Sequence, residues 1–176
     1  MTELDAKLGE PLVPPRLIQP SPLPKAMQQA INQHRQTIQA ILAQQDPRLL
    51  CVVGPCSVHD PGAMMDYASR LMNVVQQTRD QLVIVMRVYL EKPRTIAGWK
   101  GYINDPSLDD RCDINEGIQR SRELLLRVNA LGLPVATEFI DPLLARRTML
   151  MITTSRFDSS TNCRLTPVPS SPQQQE

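Results

Sequence analysis

Aromatic residues are scarce. One Trp, three Tyr and two Phe make up 3% of the 176 residues, so the core must rest on Leu, Ile, Val, Met and Ala. No apolar run approaches the roughly 20 residues that a helix needs to cross a bilayer. The opening MTELDAKLGE is polar and mixed in sign, unlike a signal peptide. Cys51, Cys56, Cys112 and Cys163 form no CxxC pair and no framework spacing. Without an export signal they read as thiols of a reducing compartment, and the cytoplasm is the expected location. An excess of one charge is missing too. The 19 Lys/Arg and 18 Asp/Glu are spread along the chain for a net charge of +1, which argues against nucleic acid as a partner. Neither a GxGxxG nor a Walker loop is present. What remains is 41% apolar and 21% charged, the composition of a globular domain with one core of ordinary size.

Proline, by contrast, is abundant, at 16 of 176 residues where about 5% is usual. It gathers in residues 1–23 (EPLVPPRLIQPSPLP), which are expected to form an extended arm. From Pro24 the chain turns helical, with Met27, Ile31, Ile38 and Ile41/Leu42 at near-helical spacing until Asp46-Pro47 breaks it. RLLCVVG follows as a short branched run typical of a strand buried on both faces. Asp60-Pro61 reads as N-cap and first residue of a helix striped by Met64/Met65, Ala68, Leu71/Met72 and Val75. A second buried strand spans Leu82 to Val88, and a long polar segment runs from Tyr89 to about Asp113. Asn115 is expected to cap a helix through Ile118, Leu124/Leu125, Val128 and Leu131, ended by Gly132. A third strand, PVATEF, occupies 134–139. After Asp141 the pattern stops: one brief apolar run, Met149 to Ile152, precedes a Ser/Thr/Pro/Gln tail whose final dozen residues read as disordered.

Buried strands alternating with amphipathic helices specify an α/β fold with a parallel sheet of βαβ units. A doubly wound sheet and a (β/α)8 barrel both fit that pattern. In either, functional groups collect beyond the carboxyl ends of the strands. The first strand delivers Cys56, the second Arg87 and then Lys92 and Arg94, the third Glu138. A bare cysteine reads as a small buried hydrophobe; the place of Cys56 after Gly54-Pro55 points instead to a metal ligand or nucleophile. His59 reads equally as a ligand or as a helix-entry residue bonded to backbone. Arg87 ends an apolar strand, where burial is costly without a partner. With Lys92 and Arg94 close behind it, the segment calls for a phosphate or carboxylate, which the guanidinium fork grips in bidentate fashion. The plain alternative is a solvated loop with ordinary basic residues. Glu138 is a candidate for positioning water or a cation.

The segments GPCSVHDP, VMRVYLEKPRTIAGWKGYINDP and LPVATEFIDP closely resemble the type I, feedback-regulated 3-deoxy-D-arabino-heptulosonate 7-phosphate (DAHP) synthases. The resemblance runs from about Asp46 to Pro142. It implies the first three βα units of a (β/α)8 TIM barrel and a transferase that condenses phosphoenolpyruvate with erythrose 4-phosphate and releases phosphate. It further implies that Cys56 is one ligand of a divalent metal ion, and that Arg87 and Lys92 contact phosphoenolpyruvate. Lys92 would lie between the two substrates as the catalytic residue. Arg94 and Thr95 would hold the phosphate of erythrose 4-phosphate, and Glu138 would lie near phosphoenolpyruvate. An aromatic amino acid as inhibitor and a homo-oligomer are implied for the full-length family.

Three segments are therefore expected: arm and helix (1–45), a partial synthase barrel (46–142) and a tail outside the family pattern (143–176). A whole barrel takes about 250 residues. The chain alone is accordingly expected to be an incomplete barrel without activity, or, alternatively, a non-catalytic fragment that associates with full-length synthase.

Overall fold

The computed structural model describes residues 23–92 and 98–140, together with the backbone of two short strands at 154–157 and 166–167. The Pro-rich arm expected in residues 1–23 falls, but for Leu23, outside the described residues, as does most of the 143–176 tail.

Helix α1, Lys25–Leu42, buries Ile31, Arg35 and Ile38. It ends before Asp46-Pro47, and Asp46 instead grips the Arg48 side chain at 2.6 Å. Strand β1, Leu49–Val53, leads to helix α2, Pro61–Thr78. Asp60 caps α2 by accepting from the amides of Gly62 at 2.7 Å and Ala63 at 3.3 Å, with Pro61 in the first turn where its missing N–H costs nothing. Strand β2 is Leu82–Arg87. Helix α3 is Ile114–Ala130, and its cap differs from expectation. Asp113, not Asn115, accepts from the Glu116 amide at 2.9 Å, because the helix begins one residue before Asn115. Gly132, at φ +87, follows the end of α3 as expected. Strand β3 is Val135–Phe139.

Strands β1, β2 and β3 are parallel neighbours in chain order, in the register Cys51↔Ile84 and Arg87↔Ala136. The sheet does not stop there. Strand β4, Thr154–Phe157, pairs parallel with β3, and strand β5, Thr166–Pro167, pairs antiparallel with β4. The expectation that the strand pattern ends after Asp141 is corrected: TSRF lacks an apolar run, and it is a strand because the edge of β3 pairs with it.

The two faces of the sheet differ. Cys51, Val53, Ile84, Met86, Val88, Val135 and Phe139 face α2 and α3 in one core with Met64, Ala68, Ile118, Leu124, Leu125 and Val128. On the opposite face, Ile38 of α1 packs on Val85 and Ala136, bordered by Leu50 and Val52. Parallel strands in sequential order with both crossover helices on one face are consistent with part of a (β/α) barrel. Among the described residues no helix is long and apolar enough to cross a membrane.

Candidate functional site

Side chains alternate along a strand, so Arg87 shares its face with Val85 and Glu138 shares its face with Ala136. With Arg87 opposite Ala136 in the ladder, both charged residues lie on the α1 side, at the carboxyl ends of adjacent strands. The expected gathering at one end of the sheet is therefore realised for these two.

Arg87 is half-buried and held from two directions. Its Nη2 donates to the carbonyl of Cys56 at 3.1 Å, and its guanidinium lies 4.0 Å from the centroid of the Tyr89 ring, a cation–π contact. Its Nε is buried without a hydrogen-bond partner, and among the described residues Arg87 makes no ion pair. A guanidinium so placed keeps donor capacity for an anion. Gly54 makes the approach possible. A Cβ there would sit 2.6 Å from the Arg87 carbonyl oxygen and 2.9 Å from the Arg87 Cβ, so no larger residue fits between the strand ends.

Cys56 is an exposed free thiol. Among the described residues there is no group of three or more His, Cys, Asp or Glu side chains able to hold a metal ion. One thiol does not make a metal site, since affinity depends on the number and geometry of ligands. His59 is exposed and lines a surface groove at the start of α2 with Pro55, Ser57 and Asp60. Lys92 is half-buried and stands at the base of the loop, where its amide donates to the Lys100 carbonyl at 3.0 Å. Arg94 and Thr95 lie outside the described residues. Glu138, half-buried on β3, is in register with Arg156 of β4.

Three residues nearby carried no weight in the sequence. Tyr89 provides the ring beneath Arg87. Glu91, only 6% exposed, accepts from the Ile140 amide at 3.0 Å just beyond β3. Asp105, also buried, accepts through its main-chain carbonyl from the Trp99 indole at 2.8 Å and so fixes the returning limb of the loop. A separate cavity of about 280 Å3 opens at the start of α3, lined by Asp105, Asp109, Arg111 and Asp113 among others. Its lining includes none of Cys56, Arg87, Lys92 or Glu138.

Residues 26–154 match the DAHP synthetase I family, a span that starts inside α1 and ends twelve residues beyond Pro142. The chain is 49% identical over 136 residues to the Trp-sensitive phospho-2-dehydro-3-deoxyheptonate aldolase of Enterobacter agglomerans, covering 77% of this chain and 39% of that protein. It is 50% identical over 134 residues to a phospho-2-dehydro-3-deoxyheptonate aldolase of Amycolatopsis methanolica, covering 76% of this chain and 66% of the relative. The solved structure of phospho-2-dehydro-3-deoxyheptonate aldolase from Francisella tularensis superposes with a TM-score of 0.80 at 41% identity, over 85% of this chain and 44% of that one.

Proposed function

Because the chain belongs to the DAHP synthetase I family, we propose that its strand ends form the phosphoenolpyruvate side of a DAHP synthase site. We further propose that its sheet is the beginning of a (β/α)8 barrel. In the reaction, C3 of phosphoenolpyruvate bonds to the aldehyde carbon of erythrose 4-phosphate, water adds at C2, and phosphate leaves. The observation that carries this proposal is Arg87: a half-buried guanidinium at the carboxyl end of the sheet, oriented by a carbonyl and a ring, with no acidic partner among the described residues.

Arg87 grips an anionic group of phosphoenolpyruvate in forked geometry, and Lys92 adds a compact charge one loop-base away. Together they offset the charge of a substrate that carries both a phosphate and a carboxylate, and they orient it for attack. Arg94 and Thr95 are proposed for the phosphate of erythrose 4-phosphate. Glu138, on the face of Arg87, is proposed to orient the water that adds at C2. A divalent metal, which the resemblance implies, would polarise the aldehyde. Among the described residues no group of three or more His, Cys, Asp or Glu side chains gathers to hold it, and the Cys56 thiol alone does not fit a complete site. Feedback by an aromatic amino acid and assembly into a homo-oligomer are proposed on the same family ground, as is a cytoplasmic location.

The test is a titration of the 176-residue chain with phosphoenolpyruvate, followed by the fluorescence of Trp99. Pyruvate, which lacks the phosphate, is expected to bind more weakly by at least about tenfold, and Arg87→Met and Lys92→Ala to weaken phosphoenolpyruvate by a similar factor or more. Equal affinity for the two ligands, or unchanged affinity in both variants, would overturn the assignment.

A further inference from the structure

We infer that Glu91 positions Lys92: its buried carboxylate takes the place of a strand carbonyl and clamps the base of the cationic loop to the end of β3. The role given to Lys92 rests on the function proposed above; the clamp itself does not.

The ladder between β2 and β3 keeps one offset beyond the strands. Arg87 pairs with Ala136 and Thr137 Oγ1 donates to the Val88 carbonyl at 2.8 Å, both at an offset of 49 positions, while the Val88 amide donates to the Ala136 carbonyl at 2.8 Å. Ile140 and Glu91 stand at the same offset. There, however, the backbone of β2 has turned away. Leu90 accepts from the Ile103 amide at 3.1 Å, and the Lys92 amide donates to Lys100 at 3.0 Å, so residues 90–92 pair with the returning limb of their own loop. Gly101 lets the limbs touch: a Cβ there would lie 2.5 Å from the Leu90 carbonyl oxygen and 2.7 Å from the Glu91 Cα.

A chain that turns to pair with itself leaves the next amide of β3 without a strand carbonyl to meet. The Glu91 side chain reaches back and supplies an acceptor, Oε2 at 3.0 Å from the Ile140 nitrogen. A carboxyl group with 6% exposure is costly to bury unless its oxygens find donors, and the Ile140 amide is one such donor. Lys92 therefore leaves a backbone held on one side by Lys100 and on the other by the Glu91–Ile140 bond. Ile140 is two residues past Glu138, so the same bond sets the spacing between the cationic loop and the acidic strand end. Glu91 touches no substrate in this scheme. It is a positioning residue.

The experiment compares the full 176-residue chain with Glu91→Gln and Glu91→Ala, by amide hydrogen exchange and by titration with phosphoenolpyruvate. In Glu91→Ala the Ile140 and Lys92 amides are expected to exchange on the order of tenfold faster or more, with core amides such as Val85 and Val128 unchanged, and the ligand to bind about tenfold more weakly. Glu91→Gln keeps an acceptor oxygen and is expected to stay within about threefold of the parent in both measurements. Unchanged exchange at Ile140 in the alanine variant overturns the clamp. So does glutamine proving as damaging as alanine, or core amides accelerating equally. If the parent chain fails to bind phosphoenolpyruvate, the proposed function falls, while the exchange pattern still decides the clamp.

Discussion

The two faces of strands β1 to β3 do different things. The face toward α2 and α3 is apolar but for Thr137, whose hydroxyl is bonded to the Val88 carbonyl, and Met86, Leu125 and Val128 on or against it are fully buried. The face toward α1 has a small apolar patch of Ile38, Val85 and Ala136 and then, at the carboxyl end, the charges Arg87 and Glu138. Strand alternation makes this division possible: one residue of every pair serves packing, and its neighbour is left available for chemistry. Stability and ligand binding should therefore respond to different substitutions, depending on the face they strike.

The largest effect is expected from Leu125→Ala, which opens a cavity where no solvent reaches. A loss of about 3 kcal/mol of stability, within the range for buried Leu→Ala changes, should appear as a lower urea midpoint. Phosphoenolpyruvate affinity, measured well below that midpoint, should not move. A marked loss of affinity would mean that the two faces are not separable.

A smaller effect, felt on both faces, is expected from Gly54→Ala. The new methyl meets the Arg87 carbonyl oxygen at 2.6 Å and must push the strand ends apart. The expected cost is about 1–3 kcal/mol. Ligand affinity should fall as well, because the guanidinium moves with its backbone. Loss of stability with affinity untouched would show that Arg87 is not the anchor.

The smallest effect concerns α1. His34 lies one turn from Ile31 and Ile38, with Nδ1 buried and unpartnered, and burial pushes its pKa below the ordinary value of 6.5. The unfolded chain then binds the proton more readily than the folded one. Stability from this source is complete above about pH 6.5 and is lost as pH falls below it, with a slope of at most about 1.4 kcal/mol per pH unit. Between pH 7 and 5.5 the unfolding midpoint should fall more steeply in the parent than in His34→Gln. Parallel slopes would remove His34 from the account.

Much of this division was legible from the residues. Branched apolar runs mark β1 to β3, Asp60-Pro61 marks the start of α2, and Gly132 marks the end of α3, because each is a local signal with a local cause. Other features depend on partners far along the chain. Arg35 fills the gap in the α1 stripe between Ile31 and Ile38, where a charge is not the expected core residue. Strand β4 exists through pairing with β3 and has no apolar signature of its own. Glu91 sits between residues chosen for their positive charge, and nothing near it in sequence announces a bond to an amide 49 positions away. The exposed thiol of Cys56 and the placement of Arg87 follow from strand ends, whereas the ligands expected to join Cys56 have no counterpart among the described residues.

The bond from Arg87 to the Cys56 carbonyl gives the strand ends a shared donor. An anion that draws the guanidinium away from that carbonyl would also loosen the peptide carrying the thiol. Thermodynamic linkage makes the relation mutual: whatever factor an anion imposes on the affinity of Cys56 for its own ligand, that ligand returns to the anion unchanged. A single hydrogen bond between neighbouring loops thus allows two binding events to report on each other, with no movement of the sheet that carries them.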